Sequence, residues 1–141
     1  MMISDSLLEL AQKIATEAHE GQFRRGGVVP YIEHPRAVVG RVGDDKDAQV
    51  VAWLHDVLED SGLTAESLVE AGIPAHLVKV VVLMTKTEGT DYEAYLEGIA
   101  GSALARKVKI ADMLSNLADG PSEKQMRKYA KGLLRLVGAE E

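Results

Sequence analysis

A chain of 141 residues with no cysteine, 46% hydrophobic residues and a formal net charge of −6 is long enough for one domain with a real core. It excludes disulfides and cysteine-ligated zinc or iron–sulfur sites, and its acidity argues against a nucleic-acid-binding surface. Met1-Met2-Ile3-Ser4-Asp5 lacks the basic lead of a secretory signal and no apolar run reaches the roughly 18 residues a membrane span needs, so a cytoplasmic protein without membrane partners is expected.

Helical periodicity recurs along the chain, with no strand-period segment or hairpin signal to compete. The first helix starts near Ser4 or Asp5 and runs to about His19, with Leu7, Leu10, Ala11, Ile14 and Ala18 on its apolar face and Gly21 after its end. Residues 21–33 read as a loop punctuated by Gly21, Gly26, Gly27 and Pro30. Pro35 suits the first position of a second helix with His34 at its N-cap, ending near Val42 before Gly43-Asp44-Asp45. A third helix is expected over 46–59. Thr64 caps a short helix to Ala71, and a helix over 75–85 carries the apolar run Val80-Val81-Val82-Leu83. After a polar loop at 86–91, Asp91 opens a helix to about 98, Ser102 caps a long one to Leu117, and Ser122 caps the last to about Val137. The expectation is an all-α, single-domain orthogonal bundle of seven or eight helices covering residues 1–141.

Polar side chains interrupt the apolar pattern in three places. In Ala52-Trp53-Leu54-His55-Asp56-Val57-Leu58-Glu59-Asp60, His55 pairs with Glu59 and Asp56 with Asp60 at i,i+4. Such residues lie about 6 Å apart on one helical face, so one patch gathers an imidazole and three carboxylates. Burying such a patch is costly unless a cation sits on it, and a divalent metal is the simplest. In the long helix, Asp112 and Asn116 repeat the i,i+4 spacing. His34 sits at a helix start. His34, His55, Asp56 and Asp112 thus form a candidate ligand set of two nitrogens and two oxygens, suited to Mn²⁺, Fe²⁺ or Zn²⁺ with open positions. Adjacent His-Asp also arises by chance, and a lone buried histidine is often a hydrogen-bonded core residue. Arg24-Arg25 and Arg106, Lys107 and Lys109 are either solvated charges or cations for an anionic substrate. Tyr31 either borders a pocket or packs.

Four stretches carry a resemblance: Ala18-His19-Glu20-Gly21-Gln22-Phe23-Arg24-Arg25, Pro30-Tyr31-Ile32-Glu33-His34-Pro35, the segment around His55-Asp56, and Val108-Lys109-Ile110-Ala111-Asp112-Met113-Leu114-Ser115-Asn116-Leu117. In this order, across residues 11–117, they resemble the HD superfamily of metal-dependent phosphohydrolases. Within it they resemble the small alarmone hydrolases and the hydrolase domain of Rel/Spo (p)ppGpp synthetase/hydrolases. The resemblance implies an all-α fold, a bound Mn²⁺ (with Fe²⁺, Zn²⁺ or Co²⁺ as alternatives), and removal of the 3′-pyrophosphate of (p)ppGpp. Carried over, His34, His55, Asp56 and Asp112 match the metal ligands, and Glu59-Asp60 the acidic pair that marks hydrolases, the candidate acid and base. Asn116 matches a residue near the nucleotide sugar, and Arg24 and Arg25 a basic pair, usually Arg-Lys, that holds the base. Lys109 and Tyr31 are further substrate-binding candidates. The pattern departs after Asn116, where an Arg is expected near Ala118 but Ala118-Asp119-Gly120-Pro121 leads into the last helix. That departure keeps open another nucleotide substrate, such as a 5′-monophosphate or an adenine alarmone, and a non-catalytic nucleotide-binding module.

Overall fold

The computed structural model describes residues 2–24 and 26–138, with side chains from Ser6 onward. Among them are nine helices: α1 (Met2–Ala18), α2 (Glu33–Arg41), α3 (Lys46–Leu54), α4 (Val57–Asp60), α5 (Ala65–Ala71), α6 (Ala75–Leu83), α7 (Tyr92–Ala100), α8 (Ala103–Leu117) and α9 (Glu123–Gly138). The only β pairing among the described residues is an isolated antiparallel bridge between Phe23 and Pro30, which pins the loop between α1 and α2. No helix among these residues is long and apolar enough to cross a membrane.

The all-α expectation holds, and the extra helix has a physical cause. The stretch expected as one helix over 46–59 is two, α3 and α4, broken at His55-Asp56. His55 Nδ1 donates to the Ala52 carbonyl at 2.7 Å. In a continuing helix that carbonyl would serve the Asp56 N–H, so the side chain competes with the helical ladder. Asp56 accordingly sits at φ −105°, ψ −1°. Asp56 and Asp60 still share one helical turn, with Asp60 N donating to the Asp56 carbonyl at 3.0 Å, but His55 closes α3 while Glu59 lies in α4, so the four residues do not form one continuous helical face.

Other boundaries shift less. α2 begins at Glu33 with Ile32 as its N-cap, so His34 and Pro35 lie inside its first turn rather than at the cap and first position. α1 starts at Met2, ahead of Ser4 and Asp5. The caps of α5 and α8 are as expected: the Thr64 and Ser102 hydroxyls accept from Ser67 N and Ala105 N. At α5, Ser67 Oγ also accepts from Thr64 N, closing a capping box.

α3 is the centre of the molecule. Every residue from Val50 to His55 is buried, and α3 packs against α1, α2, α6 and α8. A central helix hydrophobic on all sides is what its sequence, Gln49-Val50-Val51-Ala52-Trp53-Leu54, dictates. α9 closes the far side of α8. Gly132 makes that approach possible: a Cβ there would come within 2.7 Å of Met113 Cε. The C-terminal end of α3, the first turn of α2 and the middle of α8 thus converge beside the α1–α2 loop.

Candidate metal centre

The convergence brings His34, His55 and Asp112 together, all buried, with one ligating atom of each within 4.8 Å of the others. His34 Nε2 lies 2.7 Å from Asp112 Oδ1. His55 Nε2 lies 3.4 Å from the same oxygen and 3.1 Å from Asp56 Oδ2, and Asp56 Oδ2 is 3.9 Å from His34 Nε2. Donors bonded to one ion at about 2.0–2.2 Å stand roughly 3 Å apart when adjacent, the spacing seen here.

One atom tests whether the residues fit a metal. His55 Nδ1 donates to Ala52 O, which fixes the proton on Nδ1 and leaves Nε2 as the bare lone pair. That Nε2 is buried without a hydrogen-bond partner. A backbone carbonyl holding one ring nitrogen so that the other can ligate is the usual support of a metal-bound histidine. An orphaned buried acceptor among two carboxylates and a second imidazole fits a divalent cation; a closed hydrogen-bond network would leave no such atom.

The surroundings hold these groups in place. Tyr31 donates its hydroxyl to Asp56 Oδ2 at 2.7 Å, and its ring stacks on His19 at 4.8 Å. Lys109 donates to Asp112 Oδ2 at 2.9 Å and Asn116 Nδ2 to Asp112 Oδ1 at 3.2 Å. Burial pushes the Asp112 carboxyl up, but Lys109, His55 and the His34 bond outweigh it and hold it well below the usual carboxylate range. For Lys109, burial pulls downward and Asp112 and Tyr95 more than reverse it, so its ammonium stays firmly charged. Burial raises the Tyr31 hydroxyl well above its ordinary value, and the Asp56 charge and bond add to the rise.

Glu59 and Asp60 lie at the rim, both exposed. Glu59 Oε1 accepts from Lys86 N at 2.6 Å. Burial pushes its carboxyl above the usual range against the pull of that N–H, and Asp56 adds to the rise. Burial, then the Asp56 charge, raises Asp60 as well, with His19 pulling the other way. The Asp60 carbonyl accepts from Gln22 Nε2 at 2.7 Å, tying α4 to the loop after α1. Carboxyls lifted toward neutrality beside a charged centre are the groups able to exchange protons with a substrate.

On the other side, Arg24 directs Nε and Nη2 at Asp119 Oδ2 (3.2 and 2.7 Å) and Nη2 at Asn116 Oδ1 (3.4 Å). Its guanidinium carbon stands 5.8 Å from the Tyr31 ring centre. Phe23, Arg24, Tyr31, Asn116 and Gln125 line a cavity of about 260 Å³.

The sequence-predicted ligands His34, His55, Asp56 and Asp112 therefore meet, with Tyr31, Asn116 and Lys109 bonded directly to two of them. Lys109, for which a solvated surface position was an alternative, is instead buried against Asp112. Arg24 borders the adjoining cavity, and Arg25 lies outside the described residues. Arg106 turns away, donating Nη1 to the Ala100 carbonyl at 2.7 Å, and Lys107 pairs with Asp45 at 3.2 Å. Sequence reasoning missed Gln22 and Asp119. Gln22 stands inside one of the quoted motifs beside His19, so its signal was present; Asp119 lies in a loop, where no periodicity marks it.

The helical fold and the His/Asp cluster are the features expected from the resemblance to HD domains. No protein-family model matches the chain. It is 39% identical over 113 residues, 75% of its length, to a protein of Haemophilus influenzae named guanosine-3′,5′-bis(diphosphate) 3′-pyrophosphohydrolase. It is 36% identical over 142 aligned positions, 91% of its length, to the bifunctional (p)ppGpp synthase/hydrolase RelA of Mycobacterium tuberculosis. The chain spans only 16% and 19% of these two relatives. A solved structure described as a metazoan ortholog of SpoT that hydrolyzes ppGpp superposes with a TM-score of 0.77, covering 94% of this chain and 84% of that one at 22% identity, a likeness of fold. The chain is thus similar in sequence to a part of these Rel/Spo-type relatives and alike in fold to the SpoT ortholog.

Proposed function

We propose that residues 1–141 form a single metal-dependent phosphohydrolase domain that removes the 3′-pyrophosphate of (p)ppGpp. The observation that carries this reading is the bare, buried His55 Nε2 facing His34, Asp56 and Asp112, in a chain whose relatives are named for (p)ppGpp hydrolysis and synthesis. His34, His55, Asp56 and Asp112 would hold the ion, with Mn²⁺ the best fit and Fe²⁺, Zn²⁺ or Co²⁺ the alternatives for a nitrogen/oxygen set. When bound, such an ion polarises a phosphoryl oxygen and acidifies water.

The chain's own residues do the rest. Water adds to the phosphorus next to the ribose 3′-oxygen, the bond from phosphorus to that oxygen breaks, and pyrophosphate and the nucleoside 5′-diphosphate (or triphosphate) leave. Glu59 and Asp60 divide two proton tasks, taking one from the water and giving one to the departing 3′-oxygen; such help is worth about 10²–10⁴-fold. Lys109 and Asn116 keep Asp112 oriented, and Tyr31 does the same for Asp56. Arg24, with one edge held by Asp119, offers a guanidinium face to the base, while Asn116 faces the sugar.

The test is purified protein with Mn²⁺ against ppGpp, GTP and nucleoside monophosphates, following pyrophosphate and phosphate separately. Pyrophosphate from ppGpp alone is the expected result. A different nucleotide substrate is the second reading, favoured by one observation: Asp119, a carboxylate, occupies the Arg24 edge in the region where the Rel/Spo pattern carries an Arg. Phosphate from monophosphates would select it, and nucleotide binding without any turnover would leave a binding module.

A further inference from the structure

α4 is a helix of four residues, and it carries Glu59 and Asp60. A single helical turn does not hold itself in water, and within α4 only Val57 is fully buried. Its position is therefore set from outside. Glu59 is held by its carboxylate, which accepts from Lys86 N. Asp60 is held by its backbone, where Gln22 Nε2 donates to the carbonyl at 2.7 Å.

Gln22 is a junction. Its N–H donates to the His19 carbonyl at 3.0 Å, and its own carbonyl accepts from Tyr31 N at 2.8 Å. Its side-chain amide donates to the Ala18 carbonyl as well, at 3.2 Å, and its Oε1 lies 2.9 Å from His19 Nδ1. The carbonyls of Ala18 and Asp60 can only accept, so the amide NH₂ must face them and Oε1 must face the imidazole. Nδ1 therefore carries the proton and donates. His19 thereby holds the Gln22 amide in the one orientation that serves Asp60.

A second observation sets His19 apart from packing alone. The residue is 2% exposed, and its Nε2 is buried without a hydrogen-bond partner. An unmatched interior nitrogen carries a desolvation cost that an apolar side chain would avoid. What an apolar side chain could not supply is the Nδ1 donor. The His19 ring also packs on Tyr31, centroids 4.8 Å apart, and Tyr31 donates to Asp56 Oδ2. One pair of residues thus fixes the Asp60 backbone and backs the side chain that orients Asp56.

We propose that Gln22 and His19 form a latch fastening α4 to the end of α1, with Gln22 the positioning residue for Asp60 and His19 acting through Gln22. Its effect on turnover rests on the hydrolase reading above: the latch keeps Asp60 at a fixed distance from the reacting atoms. Without it α4 shifts and proton transfer slows, while the metal ligands stay in place.

The experiment compares Gln22→Leu, His19→Asn and His19→Gln in the full chain. Asn places an amide nitrogen where Nδ1 stands and Gln places one where Nε2 stands, so Asn restores the donor and Gln does not. Amide hydrogen exchange over residues 57–61 reads the latch without any assay of activity. Exchange there is expected about tenfold faster in Gln22→Leu and His19→Gln, near the parent rate in His19→Asn, and unchanged over 46–54 in all three. The two impaired variants should lose about 10- to 100-fold in kcat at unaltered KM and Mn²⁺ content, and His19→Asn should recover most of it. Parent-like exchange over 57–61 in Gln22→Leu and His19→Gln overturns the latch. So does an equal or reversed ranking of His19→Asn and His19→Gln, a comparison that decides the matter even where Gln22→Leu does not fold. A parental kcat in a variant whose 57–61 amides exchange faster overturns the positioning role. A parent protein that leaves ppGpp intact removes the hydrolase reading instead, and the exchange pattern still decides the latch.

Discussion

Replacing Lys109 by Met probes the energetic core of the site. Lys109 and Asp112 are 2.9 Å apart with side chains 13% and 7% exposed, so water cannot take over from a missing partner. Met keeps the stem volume but leaves Asp112 Oδ2 without its cation, while Oδ1 retains His34 and Asn116. Breaking one side of a buried pair costs about 3–5 kcal/mol, which at roughly 3–4 °C per kcal/mol for a chain of this size lowers the metal-free Tm by about 10–20 °C. The same change makes the ligand set more negative and removes a cation from its edge, so a divalent ion should bind more tightly. Each tenfold gain in affinity returns about 1.4 kcal/mol at saturating metal. Thermal denaturation with chelator and then with excess Mn²⁺ reads both effects: Lys109→Met should start lower and be raised further by Mn²⁺ than the parent. A metal-free loss below about 1 kcal/mol, or equal Mn²⁺-induced shifts in the two proteins, would refute the argument that Lys109 balances the charge a metal site presents.

Three more outcomes follow from the geometry. Asp56→Ala should abolish Mn²⁺ uptake and turnover while the far-ultraviolet dichroism keeps its helical form; metal stoichiometry measured after gel filtration checks it, and a full complement of Mn²⁺ would remove Asp56 from the ligand set. Glu59→Gln should retain the metal and lose about 10²-fold or more in kcat, read by steady-state kinetics at saturating substrate; an unchanged kcat would take Glu59 out of the proton transfers. Asp45 caps α3, accepting from Ala48 N at 3.1 Å, and this bond, opposed by burial and aided by Lys107, lowers its carboxyl below the usual 3.8. A depressed folded-state pKa contributes stability present above the unfolded value and lost as pH falls through the folded one. Asp45→Ala should therefore cost about 1 kcal/mol at pH 7, and urea titrations should show the gap closing only below pH 3.8; a gap already gone at pH 5 would contradict the cap.

What the amino-acid order made legible, and what it hid, divides along physical lines. The helices with side-chain caps and strong apolar stripes, α5 and α8, begin where Thr64 and Ser102 say they should, because capping is local chemistry. The meeting of His34, His55, Asp56 and Asp112 was legible because His55-Asp56 and Asp112 interrupt apolar faces, where burying a polar group requires a reason, and because His34 stands at a helix start. The break at His55-Asp56 was hidden because nothing in the propensities of Leu54 to Glu59 opposes a helix; the interruption comes from one side chain taking one carbonyl. Asp119 was hidden for a different reason. Its partner, Arg24, lies 95 positions away in the sequence, and only the packing of the α8–α9 turn brings the two close. Arg24 was placed as a base-holding residue by resemblance, but the acid that fixes its edge could not be.

The broken helix also accounts for how one short segment serves both structure and chemistry. A continuous helix through 46–59 would turn successive residues by about 100° each, sending His55 and Asp56 to different faces. With α3 ended at Leu54, Asp56 Oδ2 lies 3.1 Å from the His55 Nε2 on the neighbouring residue, and the single turn of α4 that follows carries Glu59 and Asp60 at the rim. The His55–Ala52 bond that interrupts the helix is the same bond that fixes the His55 tautomer. Helix termination and the orientation of the His55 ring are thus one event, and a substitution that restored the helix, such as His55→Leu, would remove the buried imidazole and misdirect Asp56, Glu59 and Asp60 together.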